Sequence, residues 1–212
     1  MRRVLESFSI VTLIAAGYSF YPDLACAAPD APAASAKAAA APTPVKGGVV
    51  TLSPANTKII FVGTHAAPKK PDPRTGNFEK FSGKAEVDAE KKTLKSVAVE
   101  IETASLKTEI DKLTNHLNSP DFFDTREYPK AKFESTKITA GKDGEHTITG
   151  KLTLLKTTKE ISFPAKVAIS DKGMTLHSSF KIDRLDFGVG VNQSGVERPV
   201  SLTITIGGGK DK

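Results

Sequence analysis

From Gly48 onward the chain alternates apolar and polar residues with period two, and it does so again and again. Phe81, Gly83, Ala85 and Val87 alternate with Ser82, Lys84, Glu86 and Asp88. Val97, Val99 and Ile101 alternate with Ala98, Glu100 and Glu102. Met174, Leu176, Ser178, Phe180 and Ile182 alternate with Thr175, His177, Ser179, Lys181 and Asp183. The same phase is found in Thr57–His65, around Ala131–Ser135, in Ile148–Leu154, in Ile161–Ile169 and in Val200–Ile206. Successive side chains of a strand point to opposite faces, so each run is a half-buried strand. About eight antiparallel strands are expected. Lys142-Asp143-Gly144 and Asp171-Lys172-Gly173 carry hairpin-turn chemistry between them. Eight strands with mostly short links close into an up-and-down barrel, which removes exposed edges.

One stretch breaks the pattern. Thr108 is placed to cap a helix with Asp111 three residues on, and Ile110, Leu113 and Leu117 share one helical face. Ser119-Pro120 then starts a second turn carrying Phe122 and Phe123, and Tyr128-Pro129 leads into the next strand. Two adjacent phenylalanines on a connector in an all-β chain are expected to cover something apolar. The inward face mixes Phe61, Phe81, Phe133, Phe163 and Phe180 with seven small residues: Gly83, Ala85, Ala131, Ser135, Gly150, Ala165 and Ser178. A packed eight-stranded interior fills with side chains. The small residues either leave room for a cavity or interlock with the large ones.

The ends of the chain read differently. Met1-Arg2-Arg3 followed by the uncharged run Ser7–Phe20 is a secretory signal pattern, too short to span a bilayer comfortably. Residues 1–27 are expected to be that signal, cut after Ala27. The rival reading takes Leu24-Ala25-Cys26 as the end of a lipobox, with Cys26 lipidated and the protein anchored to a membrane. Residues 28–47 are rich in Ala and Pro and read as a disordered linker, 48–207 as the barrel, and 208–212 as a flexible tail. Cys26 is the single cysteine of the 212-residue chain, so the domain is stabilised by burial without a disulfide. A periplasmic or secreted location follows from the signal reading.

Composition and motifs exclude several functions. The net charge is +6, but the lysines are spread between acids. There is no basic helix and no RNA-binding aromatic motif, so nucleic acid is not an expected partner. Lys69-Lys70 with Arg74 reads as a solvated loop, with contact to anionic lipid or polymer as the other reading. His65, His116, His146 and His177 are not at metal-ligand spacing. There is no nucleophile elbow, no HExxH and no phosphate loop, so neither a metal, a cofactor nor catalysis is expected.

Five motifs in order carry a resemblance. They are Ile59-Ile60-Phe61-Val62-Gly63-Thr64-His65; Gly76-Asn77-Phe78-Glu79-Lys80-Phe81-Ser82-Gly83; and His116-Leu117-Asn118-Ser119-Pro120-Asp121-Phe122-Phe123-Asp124 with Tyr128-Pro129 and Phe133. Gly150-Lys151-Leu152-Thr153-Leu154 with Thr157-Thr158-Lys159, and Arg184-Leu185-Asp186-Phe187-Gly188, complete the set. From about Gly48 to Ile206 the chain resembles the YceI-like polyisoprenoid-binding family. It departs from the family at Lys156, where glycine is usual, and at Asn115, where arginine is frequent. The resemblance implies an all-β, eight-stranded antiparallel lipocalin-like barrel with one short helical insertion, holding a long isoprenoid in an apolar tunnel. It implies a ligand-binding set of Phe61, Phe81, Val99, Ile101, Phe133, Leu154, Phe163, Phe180 and Phe187. Phe122 and Phe123 would cap or line one end, and His65 and Arg184 would meet the ligand head. A monomer or a homodimer is compatible with this. The alternative is a packed structural or interaction module of the cell envelope without a ligand.

Magnitudes constrain such a site. Burying a five-carbon isoprene unit at ~0.8 kcal/mol per carbon gives roughly 4 kcal/mol. Eight units exceed the affinity ceiling of about 18–21 kcal/mol, so ordering the flexible chain must cancel much of the gain. Length and shape would be read poorly, and promiscuity toward lipophiles is expected.

Overall fold

The computed structural model describes residues 42–46, 48–66 and 72–207. The expected signal segment with Cys26, most of the expected linker, Lys69-Lys70 and the expected tail lie outside the described residues. The elements are β1 (Val49–Leu52), β2 (Thr57–His65), β3 (Asp72–Phe78), β4 (Phe81–Asp88), β5 (Thr93–Glu102), β6 (Leu106–Thr108), α1 (Asp111–Asn118), β7 (Lys130–Ala140), β8 (Glu145–Leu154), β9 (Thr157–Ser170), β10 (Gly173–Asp183) and β11 (Pro199–Ile206). The eight expected strands are β2, β4, β5 and β7 to β11. The three additions are short or lack alternation: β3 reads DPRTGNF and β6 has three residues.

All strands pair antiparallel in one ladder, in the order β1-β4-β5-β7-β8-β9-β10-β11-β2-β3-β6. β4 stands second in that order and β3 tenth, yet only Glu79 and Lys80 join them. Eight strand spacings in a flat sheet would cover ~38 Å, while a two-residue link reaches about 10 Å. The sheet must therefore curl until its two ends meet. Where they meet, the Lys80 carbonyl accepts from Glu102 N at 3.0 Å, the Ser105 carbonyl from Glu79 N at 3.1 Å, and Ser105 Oγ from Lys80 N at 3.0 Å.

Local chemistry sets the turns. Asp143 and Gly144 both take positive φ, 53° and 81°, between β7 and β8, as a two-residue primed turn requires. Between β8 and β9 the positive φ falls on Leu155, at 52°, and Lys156 is accommodated without one. Thr108 does not cap α1: the N-cap is Ile110, without a side-chain cap bond. Thr108 lies in β6, two residues too early, and its backbone N donates to Thr114 Oγ1 at 3.0 Å, which ties the helix to the strand. No second helix starts at Pro120. The chain makes successive turns instead, with Phe122 N donating to Ser119 O at 3.0 Å and Tyr128 N to Asp124 O at 2.8 Å.

The core has two parts. At the base, where β2 and β10 begin, Val50, Leu52, Ala85, Val87, Ala165, Val167, Met174 and Leu176 are buried together. Thr43 is pinned there by paired backbone bonds with Met174 of 2.9 and 2.8 Å, so ordered contacts with the barrel begin before residue 48. At the other end, where β2 and β10 finish, Phe122, Phe187 and Val189 form a second cluster.

The two inward glycines expected to leave room, Gly83 and Gly150, are closely covered by their neighbours. A Cβ on Gly150 would lie 2.5 Å from the Glu134 carbonyl and 2.6 Å from the Phe133 ring. One on Gly83 would lie 2.5 Å from the Ala98 carbonyl. Gly63, by contrast, has open space where its Cβ would be. Gly150→Ala should therefore cost about 1–3 kcal/mol through overpacking, whereas Gly63→Ala should change the denaturant midpoint little. Urea unfolding of the two variants side by side checks this.

An apolar cavity beside a charge-edged hollow

The barrel encloses a cavity of about 190 Å³, as traced by the centre of a water-sized sphere. Protein interiors hold few voids larger than one water, and a single water needs only about 10–15 Å³ on this measure. Ile59 and Phe61 of β2, Val97, Val99 and Ile101 of β5, and Ala131 and Phe133 of β7 form part of its wall, with residues of β8 to β11. Leu117, Phe122 and Phe123 close the end beneath α1. Of the seven small inward residues, Ala131 alone is in this lining. The cavity therefore does not arise from small side chains. It arises because the barrel is wider than the reach of the large ones.

The expected site residues fall into two groups. Phe61, Val99, Ile101, Phe122, Phe123, Phe133, Leu154, Phe163, Phe180 and Arg184 line the cavity; Phe81, Phe187 and His65 do not. Phe81 is buried opposite Ile101 in the β4–β5 register but lies off the chamber. Phe187, 2% exposed, packs in the cluster with Phe122 and Val189. His65 is exposed and lines an outer hollow. Sequence reasoning passed over Ile59, Leu152, Ile161, Ile182, Leu202 and Ile204 as wall residues, although strand parity marks each as inward. Phe78, Val189 and Val196 also line the cavity, from segments without period.

Aromatic contacts link the wall. Phe61 meets Phe78 at 5.7 Å and Phe78 meets Phe123 edge-on at 6.3 Å. Phe133 meets Phe163 at 5.5 Å, and Phe163 stacks on Phe180 at 4.2 Å with 6° between planes. Such pairs add about 0.5–1.5 kcal/mol beyond their buried area. Gly76 makes the Phe61 position possible, because a Cβ there would lie 2.2 Å from Cζ of that ring.

The chamber adjoins an outer hollow across part of its wall. Phe61, Gly63, Leu117, Phe122 and Val196 are shared with that hollow, which is lined also by His65, Asp72, Arg74, Lys112 and His116. Asp72 and Arg74 form an ion pair. His116 Nε2 sits 3.2 Å from Asp121 Oδ2, and its ring meets Phe122 edge-on at 5.0 Å. An apolar chamber thus adjoins a hollow with an apolar floor of Ile110, Leu113, Leu117 and Phe122, edged by ionisable side chains.

Arg184 is the clasp of the rim. Its Nε donates to Glu197 O at 3.0 Å, Nη1 to Val189 O at 2.8 Å and to Gly190 O, and Nη2 to Gln193 O at 2.9 Å and Val196 O at 2.8 Å. All five guanidinium donors are used, so the residue holds the 189–197 loop in place. Burial lowers its pKa, partly offset by Asp183, and the group stays charged. Asp183 accepts from Leu185 N at 2.9 Å and from Arg198 Nε at 2.8 Å. The Arg198 bond holds its carboxyl below the ordinary range, against the opposing effect of burial.

Among the described residues no group of three or more His, Cys, Asp or Glu is placed to hold a metal, and no helix is long and apolar enough to cross a membrane. His146 is buried with Nδ1 3.0 Å from Gly144 O, and His177 is exposed.

Fold and cavity define a lipocalin-like antiparallel barrel with an apolar interior. The chain belongs to the YceI-like domain family, whose model matches residues 50–208. It is 33% identical over 144 residues to UPF0312 protein plu2095 of Photorhabdus laumondii, which covers 65% of this chain and 74% of that protein. The crystal structure of BcnA from Burkholderia cenocepacia superposes with a TM-score of 0.63 at 26% identity, covering 71% of this chain and 94% of BcnA. A polyisoprenoid binding domain from Saccharophagus degradans superposes at 0.58 over 76% of this chain and 99% of that one. At 16% identity, that likeness concerns the fold.

Two consequences can be measured. Arg184→Lys keeps the charge but loses the planar fork, leaving buried carbonyls unpaired. A loss of about 3 kcal/mol or more in urea unfolding is expected. Asp183, with its folded pKa depressed, stabilises the protein above its unfolded pKa and loses that contribution as pH falls through the folded value. The melting-temperature gap between wild type and Asp183→Asn should be full near neutrality and close below about pH 4.

Proposed function

We propose that this protein is an exported binding or carrier protein for a long isoprenoid or similar lipophile, held in the barrel interior. The observation that carries the reading is the chamber walled by apolar side chains, adjoining at its Phe122 end a hollow edged by ionisable side chains. The family membership supports it, as does the likeness in fold to a polyisoprenoid binding domain. In this reading the phenylalanines of the wall contact the tail, and His65 meets the head in the hollow. Arg184 acts through the rim loop it holds, because its donors are already spent. Phe81 and Phe187 support the wall from outside the chamber. The role is binding and delivery without bond making, and no cofactor is invoked.

The packed-module alternative needs large and small inward residues to interlock throughout. They do so at Gly83 and Gly150, but a chamber remains beyond them. The remaining assignments follow the sequence: residues 1–27 as signal, 28–47 as linker, 208–212 as tail, and a periplasmic or secreted protein. Anchoring through lipidated Cys26 is the alternative, and the protein acts as a monomer or homodimer.

Solvent extraction of the purified mature protein, followed by mass spectrometry, should release a lipophilic molecule in near-stoichiometric amount. Recovery of none, with an unchanged empty chamber, would remove the proposal. Gly63 sits at the junction of chamber and hollow with open space before it. Gly63→Leu should keep the wild-type melting temperature while reducing recovered ligand about tenfold.

A further inference from the structure

The barrel wall is not hydrogen-bonded all along its length. β9 and β10 pair from Ser170 with Gly173 to Lys166 with His177. Past that point no ladder pair joins them among the described residues. Both strands nevertheless continue: β9 runs back to Thr157 along β8, and β10 runs on to Asp183 along β11. The parting is written in the sequence. Pro164 has no N–H to donate, and its carbonyl accepts from the side chain of buried Ser178 at 2.6 Å.

Side chains hold the seam above Pro164. Continuing the count from Lys166 and His177, Phe163 faces Phe180 and Ile161 faces Ile182. All four line the cavity, and the two phenylalanine rings are the closely stacked pair. Near the rim, Lys159 Nζ donates to Asp186 Oδ1 at 2.9 Å between exposed side chains.

We propose that this seam is an expansion joint that sets how wide a ligand tail the barrel accepts. The inference rests on the cavity reading above. Widening the barrel between laddered strands would break backbone hydrogen bonds that nothing in an apolar ligand replaces. Widening it at the seam parts apolar contacts, which a hydrocarbon tail restores with its own surface, and the exposed Lys159–Asp186 pair, whose charges water can solvate. A methyl-branched tail needs that extra width, and a straight alkyl tail does not. The seam therefore confers tolerance of branched tails, and Phe163, Ile161, Phe180 and Ile182 are its specificity-determining residues.

The test is a staple. In the full chain carrying Cys26→Ser, Ser162→Cys and Lys181→Cys place thiols on exposed positions facing each other across the seam. A short bifunctional thiol reagent joins them. The control joins Lys151→Cys to Glu160→Cys, exposed register partners in the β8–β9 ladder. Two fluorescent probes of equal length are titrated before and after linking, one a prenyl alcohol and one a straight-chain alcohol. The seam staple should weaken the branched probe about tenfold and the straight one less than about twofold. The control staple should change neither. Equal effects on both probes at the seam, or none, would overturn the expansion joint. Failure of both probes to bind the unlinked variants would overturn the cavity reading itself, and this inference with it.

Discussion

The link of Glu79 and Lys80 joins the tenth and second strands of one continuous ladder. A chain that pairs in that order cannot lie flat, because two residues cannot cross eight strand spacings. Curling follows from this constraint, and so do the chamber and its base. The backbone bonds among Glu79, Lys80, Glu102 and Ser105 then join the ends. β3 and β6 flank that junction, and their sequence signal is weak. Residues such as those of β3 gain strand geometry from the edge of β2 beside them, not from their own alternation.

Curling also explains why the inside is hollow. Glycine on the inward face looks in sequence like missing volume. In the fold it is a contact point where a neighbouring ring or backbone comes close, as Phe133 does over Gly150 and Phe61 over Gly76. The chamber lies instead between large side chains that cannot reach one another across the barrel. A row of aromatic contacts keeps those rings on the wall.

The rim and the seam are complementary solutions. At the rim an irregular loop is held rigid by one guanidinium that uses every donor it has. At the seam a proline and a serine side chain interrupt a regular ladder, so the wall keeps its shape mainly through apolar contact. An end held by hydrogen bonds and a side held mainly by dispersion give one barrel a fixed rim and a deformable girth.

Alternation by itself determined the eight main strands and the inward parity of Phe61, Val99, Ile101, Phe133, Phe163 and Phe180, because a period of two is a local property. The sequence pointed to the family through five motifs in order, the one around Phe122 and Phe123 among them. It did not show that Arg184 is spent on the loop that follows it, nor that Phe81 and Phe187 stand off the chamber. Those outcomes depend on distances across the barrel and on which carbonyls surround a guanidinium. Only the curled tertiary structure decided them, since no local pattern encodes how wide a closed sheet will be.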